Sequence, residues 1–255
     1  MGSIRILMLG GTAEARILAQ ALADRGHGVL LSLAGRTDTP AAQPVPTRTG
    51  GFGGAEGLAD FLKQEAFDLL IDATHPFAAR ISRNASEAAA KFDIPALALR
   101  RPQWIEQAGD RWTHVATAAQ AITQIGAAPR RVFLAIGRQE AHVAEVAPQH
   151  FYLVRSVDPV DPPLRLPNVQ CLLDRGPFDV EREAVLLESN YIDVVIAKNS
   201  GGAATYGKIE AARRLGLDVI MIARAPATAM QTVTTVDAAL DAIDHLFPPE
   251  MNRGV

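Results

Sequence analysis

Residues 4–16, which read I-R-I-L-M-L-G-G-T-A-E-A-R, decide the fold of this chain. The apolar run that ends at Leu9 is typical of a buried parallel strand. Gly10 and Gly11 end that strand, and Thr12 is a suitable N-cap for a helix predicted over residues 13–25. A strand that runs through glycines into a helix N-terminus leaves N–H groups facing the turn. The stretch therefore predicts an α/β fold with a nucleotide phosphate at this turn, the alternative being a tight turn without a ligand.

The composition restricts the class of protein. The 255 residues are 48% hydrophobic and 21% charged, enough for the core of one large or two small domains. A net charge of −3 argues against nucleic-acid binding, which needs a basic excess. We find neither a secretory signal nor 18 consecutive apolar residues, so we expect a cytoplasmic protein that does not bind a membrane. The single cysteine, Cys171, excludes an internal disulfide and is expected to be buried.

Strands and helices alternate in two successive series along the chain. The predicted strands cover residues 4–9, 29–33, 67–71 and 95–99 in the first series, and 131–136, 151–155, 169–173, 193–197 and 219–223 in the second. This alternation predicts two Rossmann-like, doubly wound parallel-sheet domains. We place the boundary near residues 112–117. Residues 1–114 then form the dinucleotide-binding domain, and residues 115–255 form a second α/β domain that binds substrate.

The ends of two predicted strands carry polar residues of interest. In a dinucleotide fold the adenosine ribose lies at the end of the second strand, where this chain has Arg36. An arginine at this position suits the 2′-phosphate of NADPH, although a solvated loop arginine is the alternative. The third strand of the first series leads into Thr74, His75 and Pro76, and we expect Pro76 in the first turn of a helix over residues 77–92. The position of His75 makes a catalytic role and a structural role equally reasonable.

Several familiar catalytic signatures are missing. Residues 202–209 have the glycine and lysine spacing of a phosphate-binding loop, but Ile209 replaces the hydroxyl residue that would hold Mg²⁺. We therefore interpret this turn, with Lys198 before it, as a pocket for a substrate carboxylate or phosphate. The chain has no Tyr-x-x-x-Lys, Cys-x-x-Cys, His-Glu-x-x-His or Gly-x-Ser-x-Gly motif, and we expect no metal site.

Glycines and arginines gather in the predicted loops. The loop over residues 38–55 contains Gly50-Gly-Phe-Gly-Gly54, which lets backbone approach a flat ligand closely. Arginines follow several predicted strands: Arg36, Arg100, Arg101, Arg138, Arg175 and Arg224. Arginines facing one cleft would suit a substrate with many carboxylates, because a guanidinium binds a carboxylate through two hydrogen bonds.

The chain resembles the precorrin-6A reductase (precorrin-6x reductase) family of cobalamin biosynthesis. The resemblance rests on eight blocks in order: Leu9-Gly-Gly-Thr-Ala-Glu-Ala-Arg16, Ser32-Leu-Ala-Gly-Arg36, Gly50-Gly-Phe-Gly-Gly54, Asp72-Ala-Thr-His-Pro-Phe-Ala78, Arg101-Pro-Gln-Trp104, Ile136-Gly-Arg-Gln-Glu140, Asp174-Arg-Gly-Pro-Phe178 and Ala197-Lys-Asn-Ser-Gly-Gly202. It implies a two-domain α/β enzyme with an active-site cleft between the domains, in which NADPH reduces one double bond of a polycarboxylate tetrapyrrole and converts precorrin-6A to precorrin-6B. Other enzymes of the pathway are candidate partners.

The resemblance also suggests a role for each candidate residue. The catalytic candidates are His75 and Lys198, and the proton donor could be either of them, water or a nitrogen of the substrate. The cofactor-binding candidates are Gly10, Gly11, Thr12, Arg36, Thr74 and Pro76, and the substrate-binding candidates are Arg138, Arg175, Asn199, Ser200, Gly201 and Gly202. A reductase of another acidic molecule and an NADP(H)-binding redox sensor without turnover are the alternatives, and cobalt-containing and metal-free substrates are both open.

Overall fold

The computed structural model describes residues 2–35 and 42–248 and divides the chain into two compact units. The first comprises Met1–Arg101 and Pro226–Val255, and the second comprises Pro102–Ala225. Each unit is built on a six-stranded sheet in which all strand pairs are parallel. This confirms the prediction of two Rossmann-like α/β domains.

The elements follow one another in the predicted alternation. The strands are β1 (Arg5–Leu9), β2 (Gly28–Leu33), β3 (Thr47–Thr49), β4 (Leu69–Asp72), β5 (Ala96–Leu99), β6 (Trp112–Val115), β7 (Arg131–Ala135), β8 (Phe151–Ser156), β9 (Val169–Leu173), β10 (Val194–Lys198), β11 (Asp218–Ile222) and β12 (Gln231–Val233). The helices are α1 (Ala13–Asp24), α2 (Ala55–Gln64), α3 (Ala79–Lys91), α4 (Ala118–Ile125), α5 (Val180–Ser189), α6 (Gly207–Arg214) and α7 (Val236–Leu246), with a 3₁₀ helix over Arg138–Val146.

The first sheet has the strand order β12-β5-β4-β1-β2-β3. The chain moves outward from β1 through β2 and β3 on one side, and through β4 and β5 on the other. The order therefore reverses between β1 and β4, and ligands of such sheets bind outside the carboxyl ends of the strands at that reversal. β1 is buried on both faces, with Ile6 and Met8 packed in one core cluster and Leu7 and Leu9 in the other.

The second sheet repeats this arrangement with the order β6-β11-β10-β7-β8-β9. Its first central strand is β7, the chain moves outward through β8 and β9, and it returns to β10 on the other side of β7. The order reverses between β7 and β10, which places Gly137 and Lys198 next to the reversal. Each unit therefore has its own switch point at which a ligand can bind.

Two of the four edge strands, β6 and β12, explain why the chain divides at other positions than the predicted boundary near residues 112–117. β6 follows β5 in the chain but pairs with β11 in the second sheet, and β12 follows β11 but pairs with β5 in the first. The first unit therefore consists of two segments of the chain, one up to Arg101 and one from Pro226 onward. In the second segment, α7 packs against α1. Short edge strands carry weak periodicity, so the sequence pattern did not assign either one to its sheet.

The structure corrects several details. β3 lies inside the stretch predicted as loop 38–55, and β12 was not predicted. The helix that the sequence pattern predicts from Gly137 to about Val146 is a 3₁₀ helix over Arg138–Val146. Cys171, which we expected to be buried, is exposed because it lies on β9 at the edge of the second sheet. Within residues 2–35 and 42–248, no helix is long and apolar enough to cross a membrane.

Candidate active site

The turn after β1 has the shape of a phosphate-binding turn. The Gly10 N–H donates to the carbonyl of Ser32 at 2.9 Å, and a Cβ added at Gly10 would lie 2.6 Å from Cδ1 of Leu31. Gly11 has a φ of +117°, which favours glycine, and a Cβ added there would meet nothing within 4 Å. The turn therefore packs closely against β2 at Gly10 and opens to free space at Gly11. This combination fits the pyrophosphate of a dinucleotide.

Thr12 caps α1 and also ties the turn to the neighbouring strand. Its Oγ1 accepts the Ala15 N–H at 3.1 Å, as expected of an N-cap threonine. The same hydroxyl donates to the carbonyl of Ala73 at 2.9 Å. The hydroxyl hydrogen of Thr12 is thus bonded within the protein. The donors that this turn can offer a phosphate are therefore its backbone N–H groups.

A buried ionic network fixes the segment after β4. Asp72 accepts from the backbone N–H and the hydroxyl of Thr74 at 3.1 and 2.6 Å. Its other oxygen accepts from Arg100 at 2.9 Å, and Arg100 also donates to Ser82 at 2.6 Å. The side chains of Asp72 and Arg100 are only 1% and 14% exposed. The guanidinium of Arg100 is therefore bound to side chains within the first unit. The sequence does not indicate this role, because the partner Ser82 lies within α3, 18 positions before Arg100.

His75 and Pro76 form a turn before α3. The helix begins at Ala79, so the prediction that Pro76 lies in its first turn is wrong. The Ala78 N–H donates to the carbonyl of His75 at 2.7 Å, which leaves Pro76 in the second position of a turn, a position that suits its fixed φ. The Phe77 N–H donates to Nδ1 of His75 at 3.3 Å, and we therefore assign the proton of neutral His75 to Nε2.

Arg101 and Arg36 are two further arginines that the sequence predicts at this edge of the first sheet. Arg101 binds both carboxylate oxygens of Glu14 at 3.1 and 3.2 Å, and this pair neutralises an acidic side chain in the first turn of α1. Arg36, the predicted ligand of the 2′-phosphate, lies outside the described residues.

In the second unit, an ion pair spans the switch point between β7 and β10. Lys198 at the end of β10 donates to Glu140 of the 3₁₀ helix at 2.6 Å. Gly137 precedes this helix with a φ of +87°, and the guanidinium of Arg138 lies 3.9 Å from the carboxylate of Asp158. Two of the predicted cationic residues are therefore at one edge of this sheet, each beside a carboxylate.

The turn after β10 holds another segment of the chain. Oδ1 of Asn199 accepts the Trp104 N–H at 2.8 Å, and Nδ2 donates to the Trp104 carbonyl at 3.0 Å. The indole N–H of Trp104 donates to the carbonyl of Gly202 at 2.9 Å. A Cβ added at Gly201 would lie 1.9 Å from the carbonyl oxygen of Pro102. The side chain of Asn199 is therefore used to position Trp104, and Gly201 is required by the close approach of residue 102.

Ser200 and Arg224 complete the same turn. Ser200 is buried, and its N–H donates to the carbonyl of Lys198 at 2.7 Å. Arg224 donates to the carbonyl of Asn199 at 2.8 Å and to that of Pro102 at 3.3 Å. Arg224 thus helps to hold residue 102 against this turn.

The loop that carries Arg175 is supported by a buried pair that the sequence did not reveal. Arg155 at the end of β8 binds Glu183 of α5 through two hydrogen bonds of 2.5 and 2.9 Å, and both side chains are 5% exposed. The Arg155 guanidinium stacks 3.6 Å from the ring centroid of Phe178. The Phe178 N–H donates to the carbonyl of Ala204 at 2.9 Å. Arg175 therefore lies on a loop that is held at Phe178.

No group of three or more metal-ligating side chains exists in the part of the chain that the structure describes. The candidate residues instead supply backbone N–H groups in the first unit and cationic side chains in the second. Two parallel doubly wound sheets and a glycine turn into a helix N-terminus place the chain in the class of Rossmann-like α/β proteins, whose sheets bind nucleotides at such turns.

Comparison with known proteins identifies the family. Residues 5–244 match the family model described as "Precorrin-6x reductase CbiJ/CobK". The chain belongs to this family of oxidoreductases of cobalamin biosynthesis.

Individual relatives match the chain over nearly its whole length. It is 57% identical to a precorrin-6A reductase of Sinorhizobium sp over 96% of this chain and 94% of that protein. It is 49% identical to a precorrin-6A reductase of Rhodobacter capsulatus over 98% and 99% of the two chains. A solved structure described as CobK precorrin-6A reductase superposes with a TM-score of 0.91 at 48% identity, covering 99% of this chain and all of that one.

Proposed function

We propose that this chain reduces precorrin-6A to precorrin-6B with NADPH. The observation that carries the proposal is the hydrogen bond from Thr12 to Ala73, which joins the glycine turn of β1 to the end of β4 at the switch point of the first sheet. Membership of the reductase family and the names of relatives at 57% and 49% identity support the choice of substrate.

The first unit binds the cofactor in this proposal. The N–H groups at Gly11 and Thr12 bind the pyrophosphate, because the turn is open there and the positive end of α1 lies behind it. Thr74 and Pro76 border the nicotinamide end, since Asp72 and the turn at residue 75 fix their backbone. Arg36 binds the 2′-phosphate, a role inferred from the sequence alone.

The second unit binds the acidic substrate. Lys198, Arg138 and Arg175 supply positive charge at or beside the carboxyl ends of its strands, where polycarboxylate ligands would form charge-assisted hydrogen bonds. Ser200 contributes to the floor of this site. Asn199, Gly201 and Gly202 contribute by shaping the turn, because their contacts with residues 102 and 104 set its backbone.

NADPH, when bound, supplies the hydride that is added to one carbon of the conjugated ring, and a proton must reach the adjacent atom to balance the reaction. A proton from His75 would come from its imidazolium form, since a neutral imidazole N–H is too weak an acid, and a proton from Lys198 would come from its ammonium group. These are the two side chains we propose as proton donors. The remaining contribution of the chain is to fix both reactants in place.

The test is direct observation of turnover. Purified protein is mixed anaerobically with NADPH and precorrin-6A, and the absorbance of the reduced nicotinamide and of the coloured macrocycle is recorded together. We expect both to change in equal amounts and the product to gain two hydrogen atoms by mass. NADPH binding without consumption would instead support a redox sensor, and consumption with only other acidic substrates would change the substrate assignment.

A further inference from the structure

Arg48, the central residue of β3, bridges two segments that the sequence singled out separately. It pairs with Ser32 in the register of β2 and β3. Its guanidinium donates to the Ser32 hydroxyl at 2.8 Å and to the carbonyl oxygens of Gly50 and Gly51 at 3.1 and 3.2 Å. One side chain thus connects the end of β2 to the beginning of the glycine loop.

The same guanidinium also anchors the loop through an aromatic ring. It lies 3.9 Å from the ring centroid of Phe52 and 5.4 Å from that of Phe61 on α2, and the two rings are 5.2 Å apart. Gly50 and Gly53 have φ values of +117° and +83°, so the loop backbone has wide conformational freedom of its own. Arg48 and Phe52 therefore restrict a segment that its glycines alone would leave free.

The loop lies where the adenosine end of a dinucleotide binds in this type of sheet. The Gly50 N–H donates to the carbonyl of Leu33, the last residue of β2, at 2.9 Å. A Cβ added at Gly35 would lie 3.2 Å from Cγ2 of Thr49, so the chain leaving β2 packs directly on β3. In dinucleotide-binding folds, the ribose next to adenine is bound at the end of this second strand.

We infer that Arg48 is a positioning residue for cofactor binding, which holds the loop over residues 50–54 in place as a wall of the site for the adenosine half of NADPH. Arg48 acts through the loop, because its guanidinium donates to Ser32, Gly50 and Gly51. A lysine cannot replace it, since an ammonium group lacks the planar fork that bonds to two carbonyls while stacking on a ring. The inference rests on the proposed use of NADPH.

The experiment compares R48M and R48K with R5M. Arg5 is a matched control because it also lies on a strand of the first sheet, pairs with Glu65 and stacks 5.2 Å from the ring of Phe67, but it lies at the amino end of β1. Three quantities are measured for each variant: the Kd for NADPH, the KM for precorrin-6A, and the hydrogen exchange of the peptide over residues 50–57 without cofactor.

We expect R48M to raise the Kd for NADPH at least tenfold and R48K to raise it nearly as much, with the KM for precorrin-6A within twofold of the parent value. Exchange of the loop peptide should accelerate in both variants and stay unchanged in R5M. A folded R48M with parental NADPH affinity and parental loop exchange would overturn the inference. If R48M loses its circular dichroism spectrum, F52L is judged by the same criteria, because it removes the stacked ring and keeps an apolar side chain.

The outcome separates this inference from the proposed function. If the parent protein itself does not bind NADPH, the cofactor assignment fails. If the parent binds NADPH and R48M loosens the loop without weakening that binding, the positioning role fails while the proposed reductase activity stands.

Discussion

The hydroxyl group of Thr12 donates its hydrogen to the carbonyl oxygen of Ala73, 2.9 Å away, while its oxygen accepts the N–H of Ala15 at 3.1 Å. One side chain thereby begins α1 and joins the two strand ends at the switch point of the first sheet. The sequence predicted Thr12 as an N-cap and as a cofactor-binding residue. In the structure, the hydroxyl has a positioning role, because its hydrogen already has a partner within the protein.

Replacing Thr12 with valine should weaken NADPH binding about tenfold, because the turn loses its connection to β4 and α1 loses its cap, worth about 1 kcal/mol. T12S should bind NADPH as the parent does, since serine keeps both hydrogen bonds. Thr235 caps α7 in the same unit through Ala238, so T235V is a matched control that loses similar stability. Titration of NADPH by fluorescence measures all three. Equal losses of affinity in T12V and T235V would show that only stability matters.

Most of the fold could be predicted because its strands are long apolar runs between clear turn signals. β1, β4, β7 and β10 are almost fully buried, and their periodicity differs from that of the amphipathic helices that follow. The sheets that the edge strands β6 and β12 join were not predicted, because each joins its sheet by pairing with residues more than 100 positions away in the chain. Local pattern contains no information about such a pairing.

The site was predicted less completely, for a physical reason. Residues that act through backbone geometry, such as Gly10 and Gly11, can be recognised from their position after a strand. Residues that act through a distant partner cannot, and the pairs Arg155–Glu183 and Asp72–Arg100 span 28 positions each. Their charges are visible in the sequence, but their mutual contact and burial arise only from folding.

A variant of Asn199 can distinguish a role in stability from a role in substrate binding. N199A would leave the partly buried N–H and carbonyl of Trp104 without their side-chain partners, which should lower the free energy of unfolding by about 1 to 3 kcal/mol. N190A is the control, because the Asn190 amide caps one carbonyl of α5 and its loss should cost about 1 kcal/mol. Urea unfolding measures both. A variant N199A with parental stability and a raised KM for precorrin-6A would identify Asn199 as a substrate ligand.

Arg36 provides the test of cofactor choice. If its guanidinium binds the 2′-phosphate, R36A should raise the KM for NADPH about tenfold or more, because a charge-assisted hydrogen bond is lost. The KM for NADH should stay within twofold, because NADH has no 2′-phosphate. R16A is a suitable control, because Arg16 is an exposed residue of α1. Initial rates with each nucleotide supply the comparison. Equal effects of R36A on both nucleotides would remove Arg36 from the phosphate site.

Lys198 tests the division of roles between the units. K198M should raise the KM for precorrin-6A about tenfold, because a substrate carboxylate loses a charged partner, and should change the Kd for NADPH less than twofold. It should also lower kcat if Lys198 is the residue that supplies the proton. K91M is the matched control, since Lys91 also pairs with a glutamate, Glu56, but on the surface of the first unit. Steady-state kinetics and NADPH titration decide the outcome. A collapse of NADPH affinity in K198M would contradict the assignment of substrate binding to the second unit.

His150 should make the stability of the second unit depend on pH. Its side chain is fully buried and its Nδ1 accepts the Arg130 N–H at 3.1 Å, and burial lowers its pKa below the ordinary value of 6.5. The unfolded chain therefore binds more protons than the folded chain once the pH falls below about 6.5, so the free energy of unfolding should decrease from there downward. H150Q keeps an acceptor for Arg130 but cannot be protonated, and its urea midpoint should fall less steeply between pH 7 and pH 5. Identical slopes for H150Q and the parent would assign the acid sensitivity to other groups, beginning with His27, whose pKa burial also lowers.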